Sequence, residues 1–185
     1  MITAGDIFAG VFGAWRLARR DPTGLVWFDT SPRGVANSFW GPLLILPGFL
    51  VLQTLDGTFE NDLAYPLLIE LIAYVIGCVA FPLAMSQISD GLERPHLYLR
   101  YVVAYNWSQV IQMAALLPAG LLAHLAPGHG MALLNTAMTI VVLVYQAYVA
   151  HQALDVKPGT AGLLVLLDLS LGALIQMTAN RLMGA

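Results

Sequence analysis

The sequence predicts an all-α fold: a polytopic integral membrane five-helix bundle with an N-terminal interfacial amphipathic helix. Three observations predict it. Apolar residues fill 58% of the 185 positions and charged residues only 10%, against about 25% charged in ordinary soluble domains. Mean hydropathy is +0.74. The few charges stand far apart, leaving uncharged runs of the roughly 20 residues that a helix needs to cross a bilayer core.

The same numbers exclude other classes. A water-soluble domain needs a charged surface that this composition cannot supply. The single cysteine, Cys78, lies in an apolar run, so an intrachain disulfide is impossible. A net charge of −3 offers no basic footprint, so no nucleic-acid partner is expected. The expected partners are the lipid bilayer and either further copies of the chain (a homo-oligomer) or a larger membrane protein complex.

Residues 1–35 form the first unit, a cytoplasmic or interfacial segment. Ile7, Phe8, Val11, Phe12 and Trp15 fall within about 140° of one helical face. Asp6 stands in the first turn and Arg16, Arg19 and Arg20 in the last, which suits the helix dipole. Asp21-Pro22 ends the helix. The pattern predicts a helix lying in the plane of the membrane surface, or packed on the bundle as a lid. Leu17 falls off the apolar face. Trp15, Trp27, Phe28 and Trp40 are expected near the headgroups, where amphipathic rings settle. The basic residues follow the apolar ones, so the stretch does not read as a signal peptide.

Residues 36–185 form the five-span domain. Between Arg33 and Asp56 lie 22 uncharged residues, and between Asp62 and Asp90 lie 27, interrupted only by Glu70. Between Arg100 and Asp155 lie 54, too many for one crossing and enough for two. Pro127, Gly128 and Gly130 mark the break. From Pro158 to Asn180 lie 23, interrupted only by Asp168. The spans are placed at 36–55, 64–88, 101–124, 131–152 and 159–181. Pro47, Pro82 and Pro118 are expected to kink their helices.

Lys and Arg then set the orientation. Arg16, Arg19, Arg20, Arg33, Arg94, Arg100 and Lys157 fall on one side and only Arg181 on the other. The connection carrying Asp56, Glu60 and Asp62 has no basic residue. The expected location is a bacterial inner (cell) membrane, with the N-terminus cytoplasmic and the C-terminus periplasmic.

Glu70 and Asp168 are the candidate functional carboxylates. Counting about 1.5 Å per residue places both near the midplane. A central carboxylate costs about 2.5–3.5 kcal/mol to insert, so it faces the bundle or a water-filled cavity. The readings are an ion or proton site, or a neutral carboxyl hydrogen-bonded to a neighbouring helix. Asn106, Gln109 and Gln112 recur every third residue on one side of span three and complete the candidate polar site. Gln146, Gln176 and the other polar residues of spans four and five read as interhelical glue. No cofactor or metal is expected. His124 and His129 supply two ligands, where zinc wants three or four, and no phosphate loop or hydrolase motif is present. No catalytic residue is assigned.

Tyr105-Asn106-Trp107 at the start of span three and Phe39-Trp40 at the start of span one carry a resemblance. So does the layout of an N-terminal region followed by five spans. The chain resembles the bacterial branch of the Yip-type membrane family, named for proteins that interact with Ypt/Rab GTPases. The resemblance implies a multi-pass membrane protein without a catalytic residue. In eukaryotic relatives it implies membrane trafficking and GTPase-linked partners. The functional expectation is a non-enzymatic accessory, scaffold or assembly subunit acting through helix–helix contacts. Its alternative is a small transporter or ion/proton-coupled carrier using Glu70 and Asp168.

Overall fold

The structure, a computed structural model, describes residues 2–59 and 63–184. Within them the chain is all helical. The order is α1 (Ala4–Ala18), a 3-10 turn (Pro22–Trp27), α2 (Pro32–Ser38), α3 (Trp40–Leu55), α4 (Ala64–Gly91), a second 3-10 turn (Pro95–Leu97), α5 (Tyr98–Leu125), α6 (His129–Leu154) and α7 (Pro158–Met183). Five segments are long and apolar enough to cross a membrane: Pro32–Leu55, Ala64–Gly91, Pro95–Leu125, His129–Leu154 and Pro158–Met183. Five long apolar helices therefore stand where the charge gaps placed five spans, with the break between α5 and α6 as expected. The first is divided at Phe39 into α2 and α3. Glu60 and Asp62 lie outside the described residues.

α5 is the central helix. It packs against α3, α6, α1 and α2, while α7 joins α6 to α4. Tyr74 closes the ring between α4 and α3: its hydroxyl donates to the Pro42 carbonyl at 2.6 Å, and its ring lies 4.8 Å from that of Phe49. Tyr101 through Ser108 are all buried, so the first half of α5 is enclosed on every side. Gly41 makes this possible. A Cβ there would stand 2.6 Å from the backbone oxygen of Asn106, so only glycine lets α3 approach α5 so closely.

α1 forms where expected and is held at both ends. Thr3 and Asp6 make a reciprocal capping box. At the far end the Asp21 carboxylate accepts from the Thr23 hydroxyl (2.6 Å), Arg16 Nε (2.7 Å) and the Thr23 N–H (3.0 Å). The face turned to the bundle is Gly10, Gly13, Ala14 and Leu17. Gly10 lies under the Trp107 ring, where a Cβ would stand 2.2 Å from the indole. Of the five residues of the expected apolar face, Ile7 and Val11 border the core, Phe12 is half-buried, and Phe8 and Trp15 point outward, 62% and 51% exposed.

Two expectations therefore change. Leu17, off the apolar stripe, is fully buried, because small residues rather than bulky ones allow close helix approach. Phe28, expected at the surface, is buried beneath α1, against Gly13.

The Asp21 cluster gives a pH prediction. The Thr23 hydroxyl, the Arg16 guanidinium and the Thr23 N–H hold the carboxyl below its ordinary range. A folded-state value lowered in this way stabilises the cap at pH above the unfolded value, near 3.9. That stabilisation is lost as pH falls through the folded value. Amide exchange in α1, taken relative to the intrinsic rate at each pH, is therefore expected to stay flat from pH 8 to 5 and to rise only in more acidic solution. Asp21→Asn should raise it at neutral pH and abolish the acid transition.

Arg100 secures the same end of the bundle. Its Nε donates to the Ala153 carbonyl at 2.8 Å and its Nη2 to the Gln152 carbonyl at 3.3 Å. These are terminal carbonyls of α6, which have no partner within their own helix. Arg100→Met keeps the aliphatic stem and removes the donors. It is expected to lower stability by about 1.5–3 kcal/mol, the range for hydrogen bonds to a charged group. Thermal unfolding in mild detergent measures it.

Candidate functional site

All five long helices contribute to one cleft of about 430 Å³. Ile45 and Phe49 come from α3, Tyr74 and Cys78 from α4, Gln109 and Gln112 from α5, Gln146 from α6, and Asp168 and Gln176 from α7. Bundle axes are ordinarily filled by apolar side chains, since a polar group buried without a partner costs about 1–3 kcal/mol. Here four glutamines, two tyrosines and a carboxylate share the space with apolar ones.

Asp168 is the centre of this group. The Tyr105 hydroxyl lies 3.1 Å from each carboxylate oxygen, and Gln146 Nε2 donates to Oδ2. Three helices are thus tied together at one carboxylate. Asp168 is the only carboxylate among the cleft residues, and none of them is basic. Gln112 Nε2 donates to the Ser108 hydroxyl at 3.2 Å, which leaves its carbonyl oxygen available. The arrangement presents carboxylate, amide and phenol oxygens without a cationic neighbour. Hard cations and protons prefer such groups.

Glu70 takes a different place. It is fully buried on α4, and its Oε1 accepts from Gln176 Nε2 at 2.8 Å. Its Oε2 has no hydrogen-bond partner. Gln176 follows Asp168 by eight residues, about 12 Å along α7, so the two carboxylates are held at different levels of that helix. They do not form a pair. Glu70 does not line the cleft and is bonded to Gln176, which does.

The polar run of α5 also divides. Asn106 is fully buried, donates to the Ser38 hydroxyl of α2 at 2.8 Å, and does not line the cleft. Gln109 and Gln112 do. Three residues fall 60° short of a full turn, so a three-residue spacing sweeps around the helix. Asn106 and Gln112 are therefore about 120° apart.

Tyr105 is the site residue that the polar-residue count missed. Its position at the start of span three, one residue before Asn106, was the available signal. Gln146 and Gln176 serve as the interhelical contacts expected of them. Ser170 and Thr178 instead donate to carbonyls four residues back in α7, and Tyr145 donates to Ala14 of α1 at 2.9 Å. Cys78 is half-buried and lines the cleft. Among the described residues no group of three or more His, Cys, Asp or Glu is placed to hold a metal ion. No family model, curated protein or solved structure matches the chain.

Proposed function

We propose that this chain is a small membrane carrier that takes up a proton or alkali cation at Asp168 and a small polar solute beside it. One observation supports this above others: a cleft bordered by all five long helices holds four glutamines and a carboxylate bonded to Tyr105 and Gln146. A bundle serving only as a scaffold would fill that volume with Leu, Ile and Phe. In this reading Gln109 and Gln112 hold the solute, and Glu70 braces α4 against α7. The chain carries out no covalent chemistry. Its setting is a bacterial-type inner membrane, with Arg16, Arg19, Arg20 and Arg33 on the cytoplasmic side.

The test is reconstitution into liposomes, with imposed proton, Na⁺ or K⁺ gradients and a pH- or potential-sensitive dye. Dissipation that depends on the protein supports the carrier. Its absence for all three ions overturns it.

A second reading, an accessory or assembly subunit, has its own observation. Residues 132–137 in the first half of α6 are all exposed, so no flank of that stretch is covered by the bundle. Asn135 stands among them. A larger complex would cover this helix, and the Yip-type resemblance accords with an interaction role. Cross-linking through Cys at position 135 in native membranes, followed by purification in mild detergent, decides it. A clean monomer removes this reading.

A further inference from the structure

A groove of about 500 Å³ runs between the last turn of α1 and one flank of α6, away from the central cleft. Its two ends differ in chemistry. Ile140, Val141 and Val144 line one end and are exposed. Arg20, Tyr148 and His151 line the other, where α6 ends and α7 begins. From Ile140 to His151 is eleven residues, about 16 Å along the helix. That is close to half of a ~30 Å hydrocarbon core, the depth of one leaflet.

The charge at the mouth is unbalanced. Arg16 is neutralised by Asp21 at 2.6 Å. Arg19 and Arg20 are exposed, and among the described residues neither forms an ion pair with a carboxylate. Lys157 precedes Pro158, which also lines the groove. The inner wall is fixed, because the Tyr145 hydroxyl holds α1 through the Ala14 carbonyl at 2.9 Å.

We propose that this groove seats one anionic phospholipid, an acyl chain against Ile140, Val141 and Val144 and the phosphate at Arg20. A neutral lipid fits the apolar end equally well. The cationic mouth selects the anionic headgroup, and each such residue carries about a fivefold preference.

The test is native mass spectrometry of the full chain in mild detergent. It is titrated with phosphatidylglycerol, with phosphatidylcholine of the same acyl chains, and with free glycerol phosphate. Phosphatidylglycerol is expected to be retained in preference to phosphatidylcholine, and glycerol phosphate not at all. Arg20→Asn should reduce the preference about fivefold. Arg20 has φ +59°, a backbone conformation that Asn tolerates, so this variant keeps the turn. Val144→Trp should expel both lipids by filling the apolar end. Equal retention of the two lipids overturns the proposal, as does an Arg20→Asn variant with unchanged preference. So does retention of free glycerol phosphate at the same concentration.

Discussion

Asp168→Asn is expected to reduce cation- or proton-driven flux in liposomes by about 100-fold or more, the scale on which loss of a proton-transfer group is felt. Asn matches Asp in size, so the space beside Tyr105 and Gln146 stays filled. What disappears is the negative charge, and with it the ability to bind and release a proton. Tyr105→Phe is the informative companion. It removes the hydroxyl that lies 3.1 Å from both carboxylate oxygens. It should shift the pH dependence of flux while leaving a substantial rate. Glu70→Gln should leave flux near wild type, because Glu70 does not line the cleft. Flux through Asp168→Asn equal to wild type would rule out the assigned role of that carboxylate.

The second large effect concerns Glu70 and Gln176. Gln176→Leu should lower stability by about 3 kcal/mol, since it strands a fully buried carboxyl that already has one unpartnered oxygen. Glu70→Leu should cost much less. The double variant should recover most of the loss, because replacing both members of a buried polar pair by apolar groups is often neutral. Denaturant unfolding in mixed micelles of the two single variants and the double gives a coupling of about 2 kcal/mol. Additive losses would show that the 2.8 Å contact does not hold α4 to α7. Gln176 also donates to Asn180 at 3.2 Å. Asn180→Ala, expected to have little effect, separates that contribution.

The number of long apolar helices was legible because it rests on single-helix properties. A charged residue cannot stay in an apolar span without a partner, so the charge gaps at 34–55, 63–89 and 101–154 mark where apolar helices must lie. The division of the longest gap followed from Pro127, Gly128 and Gly130, whose clustering within four residues breaks a helix where a single Pro or Gly, as at Pro118, does not. The two carboxylates were legible as inward-facing for the same reason: Glu70 is buried and Asp168 is bonded to two neighbouring helices.

Pairing was not legible. Glu70 and Asp168 looked like neighbours by depth, yet each is bonded to a different level of the bundle. Asn106, Gln109 and Gln112 looked like one face, yet Asn106 turns to Ser38 while the glutamines turn to the cleft. The bulky residues of α1 marked one face, but the helix docks by Gly10, Gly13, Ala14 and Leu17.

The sequence by itself determined the helix count, the breaks between helices and which polar side chains must be shielded. Each of these depends on transfer and propensity terms that act residue by residue. Only the tertiary structure decided that α5 stands at the centre and that a polar cleft forms around Asp168. Those outcomes depend on which helices approach closely. Close approach is set by steric fits such as Gly41 against Asn106 and Gly10 against Trp107, between residues far apart in the chain.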